Sequence, residues 1–471
     1  MPRKCPILIL FLGVVAATAA DGPRSADGPR LLFTGDILLA RQVKVELEHR
    51  NVSPWSGFAA LFHDADWVGG NFEGAIGAQS MCAAGQNLCF STPPYAIELL
   101  KDAGFSALTT ENNHSGDLGS TGREQTNVAF QQAGLMGLDF DASPQFFRLG
   151  DATVGLISIT TVRAADGRVQ EVPSVRVAQK LRLAHQLANV VVVSIHWGSE
   201  LLDWPNEAQH RQARWLVEHG ADLILGHHPH VLQSPECVEG KPVFFSLGNH
   251  VFDQKYPETK QGMIADCRIS GGVLRCRSIL THTQPASSIP FLEGNDKVAD
   301  ATLAACTPEI RSGLIIGGYT IRPEPWTANQ PADGMVLSGW KNSKRVWQSR
   351  RQQVVSLQVT RFARPDNPPM LFTLERHPSS LDREVGIRPY VYGIGPHGLV
   401  AKWRGTALAW PLIDAVVDDE GRVCALHRGD SFVAPAPETK TTRIVAYHWS
   451  GFGFGGAETL AAATQCAKAL Q

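Results

Sequence analysis

Residues 220–233 read GADLILGHHPHVLQ. Leu223–Leu225 is a short, wholly apolar run, the pattern of a strand buried on both faces. It passes directly into Gly226, His227, His228, Pro229 and His230. In open α/β sheets, ligands bind outside the carboxyl ends of the strands. Three imidazoles at such a strand end are therefore candidate ligands. The same arrangement recurs on either side. Val190–Ile195 leads into His196-Trp197-Gly198, and Val243–Ser246 into Gly248-Asn249-His250. Upstream, Leu31–Thr34 leads into Gly35-Asp36, Trp67-Val68 into Asn71-Phe72-Glu73, and Ala107–Thr110 into Asn112-Asn113-His114. One sheet edge thus gathers polar clusters that lie far apart in the chain.

Helical patterns separate these runs. Thr121-Gly-Arg-Glu124 predicts a capping box, with Gly134 as the stop. Asn206 to Gln209 predicts another, with Ala213, Leu216 and Val217 as the apolar stripe and Gly220 as the stop. Val177, Leu181, Ala184 and Ala188 have helical spacing, after a strand at Val154–Ile159. Strand–helix alternation of this kind predicts a layered α/β domain. After about residue 285 the texture changes. Short alternating runs at Val354–Val359, Leu399–Trp403, Val423–Leu426 and Arg443–Trp449 are separated by turn signals and predict a β-rich accessory domain. The basic run from Lys344 to Arg351 reads as a solvated linker, with contact to a polyanion as the alternative. The late tryptophans read as β-core, with stacking on a polymer as the alternative.

Composition narrows the classes. The chain has 471 residues, 44% hydrophobic and 19% charged, with a formal net charge of −2. That excludes global disorder and a nucleic-acid binder with a strong basic field. No Gly-rich phosphate loop and no G-x-S-x-G elbow is present. Arg3 and Lys4, the apolar run Ile7–Val15 and the small residues Ala16–Ala20 form a secretory signal pattern. The apolar run is too short to span a membrane, and no later stretch reads as a transmembrane helix. The expected location is secreted or periplasmic. The expected organisation is a signal peptide at 1–20, a flexible leader at 21–30, the α/β domain at 31–290, a connecting region at 291–350 and the β-rich domain at 351–471.

Cys5 would leave with the signal. The remaining eight cysteines, in an oxidising compartment, read as disulfides. A hairpin turning at Gly271-Gly272 would set Cys267 opposite Cys276. Cys82 and Cys89 would close a small loop. Pairing among Cys237, Cys306, Cys424 and Cys466 stays open.

Carboxylates, an Asn carbonyl and neutral imidazoles suit Zn²⁺, Mn²⁺ or Fe, as one or two ions. A bound divalent metal acidifies water and polarises a phosphoryl oxygen.

The stretches GDILLAR (35–41), GNFEGAI (70–76), NNHSGDLGSTG (112–122), HWGSE (196–200), GADLILGHHPHVLQ (220–233) and FFSLGNHVFDQ (244–254) occur in the order of a known family. Together they resemble the CapA-type poly-γ-glutamate capsule synthesis proteins, which are similar to calcineurin-like metallophosphatases. The resemblance implies a four-layer α/β/β/α metallophosphatase-like sandwich. It implies metal ligation by Asp36, Glu73, Asn113, His196, His228 and His230. It further implies His114 as proton donor, Asp117 as its orienter or a cap on the turn, and Arg41 as a partner for an anionic substrate or an orienter of an acid.

Two departures stand out. The superfamily's Asp-x-His is here Asp36-Ile37-Leu38, and Glu73 stands where Asp is common. His227 is expected to point away from the cluster, and His250 to pack or to support the ligands from behind, with ligation as the alternative. The implied function is a metal-dependent hydrolase or transferase acting on an anionic polymer or a phosphoester. The alternatives are a non-catalytic polymer-binding or assembly factor within an envelope polymer-synthesis complex, and an envelope-binding protein that works through its C-terminal part.

Overall fold

The computed structural model describes residues 28–470 except 51–52, 84, 87, 299–300, 330–333, 365, 379–383, 406–407, 409–410, 430–440 and 458–459. The signal pattern, Cys5 and most of the leader lie outside the described residues.

Two sheets form the first half of the chain. In one, strand Arg30–Ile37 is central. It runs parallel to Trp67–Phe72, which continues to Ala107–Thr109 and Met136–Leu138. On its other side it pairs antiparallel with Gln261–Ser270, followed by Val273–Thr283 and Pro290–Val298. The short strand Asn249–Val251 also lies parallel to it. The second sheet has Lys241–Phe244, Leu223–His227, Val190–His196 and Ala152–Thr160 in parallel, with antiparallel edges at Glu236–Val238 and Gln145–Leu149.

Apolar alternation assigns each face. Leu31, Phe33 and Trp67 of the first sheet share a core with Leu156, Val190, Val192 and Leu225 of the second. Their neighbours Leu32, Val68 and Leu108 point the opposite way, toward Val43, Phe58, Ile97 and Phe130 on helical segments. On the second sheet, Ile157, Val191, Val193 and Ile224 face Val177 and Leu181 of helix Val175–Leu187 and Ala213 and Leu216 of helix Glu207–Glu218. The period of two along each strand thus feeds two different cores.

The helix at Glu207 starts as expected: Asn206 and Gln209 form a reciprocal capping box. The one predicted at Thr121 does not form. That helix begins two residues earlier, at Gly119, after Leu118, which makes no side-chain cap. The stop is as expected, with Gly134 left-handed at φ 81°.

The stretch expected as a connecting region contains a four-stranded sheet, Ile315–Ile316, Tyr319–Pro323, Leu337–Lys341 and Lys344–Gln348. The basic run is therefore an edge strand here and not a linker. Trp347 is buried from it into the shared core, while Lys344, Arg345 and Val346 face outward. From Val354 to Ala457 the chain builds an eight-stranded antiparallel sheet. Its strands pack on helix Val175–Leu187 through Val354, Leu357, Leu371 and Tyr390. Arg182 and Gln179 of that helix both bond Asp414.

Four disulfides tie the fold. Cys267–Cys276 lies across the predicted hairpin, and Cys82–Cys89 closes the small loop. Cys237–Cys306 and Cys424–Cys466 join segments 69 and 42 residues apart. No described helix is long and apolar enough to cross a membrane.

Candidate metal centre

Strand register sets the site. Asp36 stands between Asn71 and Asn249 at the end of the first sheet. His227 stands beside His196 at the end of the second. The sheets are stacked, so the two rows meet along one seam. Gly35 and Gly226 let neighbouring backbone pack tightly against each row. A Cβ at Gly35 would lie 2.0 Å from the Gly248 carbonyl oxygen, and one at Gly226 would lie 1.9 Å from that of Phe245.

Asp36 and Glu73 are both 0% exposed. Asn71 bridges them, its Nδ2 donating to Asp36 Oδ1 at 2.9 Å and to Glu73 Oε1 at 3.1 Å. His227 Nδ1 lies 3.0 Å from Asp36 Oδ1, and His230 Nδ1 lies 3.2 Å from Asp36 Oδ2. His230 Nε2 is 3.8 Å from Glu73 Oε2, and His196 Nδ1 is 3.8 Å from Glu73 Oε1. Asn113 Oδ1 meets His196 Nε2 at 2.9 Å. The His196 and His228 ring centroids are 4.7 Å apart.

Two groups of ligand-type atoms result. Asp36, Glu73 and His196 form one, and Glu200, His228 and His230 the other, each with its atoms within 4.8 Å of one another. Every residue expected to ligate therefore lies on this seam.

His227 is a correction. It was expected to point away, yet it contacts Asp36. Strand alternation would send neighbours to opposite faces. That places His227 with Leu223 and Leu225 on the face toward the first sheet. It is after His227 that the alternation breaks, with His228 at φ 96° and His230 at φ 60°. Left-handed backbone is uncommon and costly outside glycine, and such strain clusters at functional sites. Here it keeps three imidazoles on one seam. Arg41 is also left-handed, at φ 53°.

Electrostatics show a crowded buried anion pair. Burial opposes ionisation of Asp36, but hydrogen bonds from His227 and His230 outweigh it and hold the carboxyl well below its usual range. Burial, with the Asp36 charge adding to it, pushes Glu73 well above its usual range. Burial lowers His228 to about 4, helped by the nearby His230. For His230, burial is overcome by Glu73 and Asp36, and it is raised to about 9.

A cation fits this donor set. Glu73 Oε2 and His228 Nδ1 are buried with no hydrogen-bond partner. Buried polar atoms of that kind require an explanation, and a bound ion is one.

Beside the seam, His114 Nδ1 lies 2.9 Å from Asp117 Oδ2. The same carboxylate oxygen accepts from the Phe90 backbone N–H at 2.7 Å. Phe90 stacks on the His114 ring at 3.7 Å between centroids, and the Arg41 guanidinium lies over the other partner, 5.1 Å from the Phe90 centroid. Arg41 Nε pairs with Asp253 Oδ2 at 3.2 Å. Asn112 anchors the loop below, donating to the Phe72 carbonyl at 2.7 Å and accepting from the His114 N–H at 3.1 Å. His250 packs instead of ligating: its ring meets Phe58 at 5.0 Å, and burial lowers it to about 3.

Sequence reasoning named Asn71 in a strand-end cluster without giving it a role, and missed Glu200 and the role of His227. Glu200 was inside the quoted motif HWGSE, but an exposed Glu carries no strand-end signal of its own. Leu38, which replaces the histidine of Asp-x-His, is buried in the helix-side core.

The family model for "Bacterial capsule synthesis protein PGA_cap" matches residues 30–254. The "PGA biosynthesis protein CapA" of Bacillus subtilis is 30% identical over 278 residues, covering 55% of this chain and 73% of that protein. This chain belongs to the CapA-type capsule synthesis family. The "Capsule biosynthesis protein CapA" of Bacillus anthracis is 28% identical over 330 residues, 63% of this chain and 78% of its own. A "Probable polyglutamine synthesis accessory protein" of Mycobacterium tuberculosis is 24% identical over 282 residues, 54% of this chain and 72% of that one. The CapA-type match begins at the first residue of the central strand and ends just past Asp253. It therefore encloses both rows of the seam, the His114–Asp117 pair and Arg41.

Proposed function

We propose that this chain is an exported CapA-type protein acting in synthesis, release or export of an anionic capsule polymer of the poly-γ-glutamate kind, as a metal-dependent hydrolase or transferase. The observation that carries the reading is the meeting of buried Asp36 and Glu73 with His196, His228 and His230 beside an independent His114–Asp117 pair. The two face-to-face sheets with helices outside them suit the four-layer metallophosphatase-like sandwich. The antiparallel sheet after Val354 suits a C-terminal accessory domain. Four disulfides suit an oxidising compartment.

Asp36, Glu73, Asn113, His196, His228 and His230 would hold one or two ions of Zn²⁺, Mn²⁺ or Fe. A bound ion supplies Lewis-acid polarisation of a phosphoryl or acyl oxygen and acidifies water. The chain's own residues supply the remainder. The Asp117 carboxylate accepts from His114 Nδ1, which fixes the ring and leaves Nε2 to give a proton to the leaving oxygen. Phe90 covers one face of that ring and excludes water from it. Asp253 takes Arg41 Nε, which orients the other guanidinium N–H groups for an anionic substrate.

A second reading is a non-catalytic polymer-binding or assembly factor. It is favoured by Leu38, which leaves the Asp-x-His position without an imidazole. Metal should be counted by elemental analysis in protein purified without chelator. Hydrolysis of bis-p-nitrophenyl phosphate and of poly-γ-glutamate is then followed with Mn²⁺ or Zn²⁺. Bound metal with turnover supports the enzyme. Bound metal without turnover of either favours the second reading, and protein that cannot bind metal at all overturns the first.

A further inference from the structure

A cavity of about 420 Å³ opens between the α/β core and the C-terminal strands. Its volume lies within the roughly 300–1,000 Å³ range of small-molecule sites, which favour junctions between structural units. One wall is the helix Val175–Leu187, another the loop that follows strand Met136–Leu138, and the third carries Trp326 and Arg376.

Its charges are unevenly matched. Both lining acids already have partners. Asp141 accepts from Arg168 at 3.0 Å and Arg176 at 2.9 Å, and Glu324 from Arg345 at 3.4 Å. The lining cations are less well served. Lys180 donates its ammonium to the Ser143 and Asp141 backbone carbonyls, which are neutral acceptors. Arg376 makes no side-chain ion pair or hydrogen bond among the described residues. Burial lowers Lys180 to about 8. Asp141 and Asp139 raise it, and the charges of Arg176 and Arg376 lower it further. Two cations therefore crowd the cavity without a carboxylate of their own. Trp326 adds an apolar wall.

An ion-pair bridge links the cavity to the loop that leads into the metal centre. Arg168 joins Asp141 to Glu111, donating from Nη1 to Oε1 at 3.1 Å. Glu111 directly precedes Asn112, Asn113 and His114. Strands Ala107–Thr109 and Met136–Leu138 are parallel neighbours, so the loops carrying Glu111 and Asp141 leave the same sheet edge.

We propose that this cavity is a carboxylate-recognition subsite that holds a segment of an acidic polymer, with Lys180 and Arg376 as its anion contacts. The inference rests on the polymer reading given above for its choice of ligand. Charge-assisted hydrogen bonds to such carboxylates are stronger than neutral ones, and the apolar wall suits the methylenes between them.

The probe is a γ-linked glutamate oligomer of about ten residues (a length that spans the volume several times over). It is titrated calorimetrically into the full chain, with inorganic phosphate as a second ligand. The wild-type chain is expected to bind the oligomer, and Arg376→Gln and Lys180→Gln to weaken it about tenfold each. Both variants should keep the wild-type metal content and melting temperature. Arg376→Gln breaks no side-chain ion pair or hydrogen bond among the described residues, so it remains decisive if Lys180→Gln fails to fold. No oligomer binding by wild type, unchanged affinity in Arg376→Gln, or binding of phosphate alone overturns the subsite. Asp36→Asn separates the two readings. Lost metal and turnover with retained oligomer binding supports the subsite independently of the chemistry. Phosphodiester turnover by a wild-type chain that ignores the oligomer overturns the subsite and leaves the enzyme standing.

Discussion

The two sheets of the core contribute unlike chemistry to one seam. The first brings carboxylates and carboxamides: buried Asp36, Asn71, Glu73 and Asn249, and half-buried Asn113. The second brings imidazoles: His196, His227, His228 and His230, with Glu200 at its exposed margin. Neither half is a tolerable arrangement alone. Two buried acids held together by one Asn amide repel each other, and a buried charge is costly unless it is paired. The imidazoles of the facing sheet, and a cation between them, resolve that conflict. The site is a consequence of stacking, and removing one member from either side should have unequal effects.

The largest effect is expected from the first sheet, because it has two buried carboxylates and no spare. Asp36→Asn should weaken metal binding by more than about 100-fold, beyond the loss typical of supporting groups. Competition with a chromogenic chelator measures this. Retained stoichiometric metal would show that the imidazoles alone suffice and would break the asymmetry.

His114→Ala tests a residue that the first sheet supplies but that sits off the ligand rows. Metal content should stay, and kcat should fall roughly 10²–10⁴-fold, the range for a positioned general acid. If turnover survives in full, the proton comes from elsewhere.

The second sheet has redundancy, so a smaller loss is expected there. His228→Ala leaves His196, His227 and His230 in place and should reduce metal affinity about 10–100-fold. The same chelator titration reads it, and a loss equal to that of Asp36→Asn would mean that the two sheets contribute alike.

Legibility in the sequence followed the same division. The strand ends were readable because an apolar β-branched run before a polar cluster reports burial and position together. That pattern located Asp36, Glu73, His114, His196, His228 and His230 at one sheet edge, along with Asn71 and His227, and the family resemblance then chose among them. The role of His227 was not readable. Alternation from Leu223 and Leu225 carries His227 to the face toward Asp36, but which face of the strand meets the first sheet is settled only by the stacking of the two sheets. The role of Asn71 was hidden for a different reason. The residue acts by donating to two acids whose closeness comes only from strand register. The capping box at Thr121 was a plausible pattern defeated by context, since the chain turns into helix already at Gly119. The disulfides divided by distance. Cys267–Cys276 follows from a local hairpin, whereas Cys237–Cys306 and Cys424–Cys466 need the tertiary fold. Lys344–Gln348 looked like a linker because its charges are real. Its single buried residue, Trp347, makes it a strand.

Lys180 lies off the seam and sharpens the comparison by contrast, because it is a cation with no facing carboxylate of its own. Asp141 and Asp139 raise its pKa, but burial, Arg176 and Arg376 prevail and bring it to about 8 from an ordinary value of 10.5. The unfolded chain therefore binds more protons than the native one between about pH 8 and pH 10. In that window the Lys180 contribution to stability rises with pH, by at most roughly 3 kcal/mol in total. Melting temperatures of wild type and Lys180→Met, compared across that range, should show wild type gaining on the variant as pH rises. A parallel pair of curves would mean that the ammonium is already balanced. A bound acidic oligomer should flatten the wild-type gain, because an anion beside Lys180 holds its proton to higher pH. On the seam the counter-charge is built into the opposite sheet, whereas in the cavity it has to arrive with the ligand.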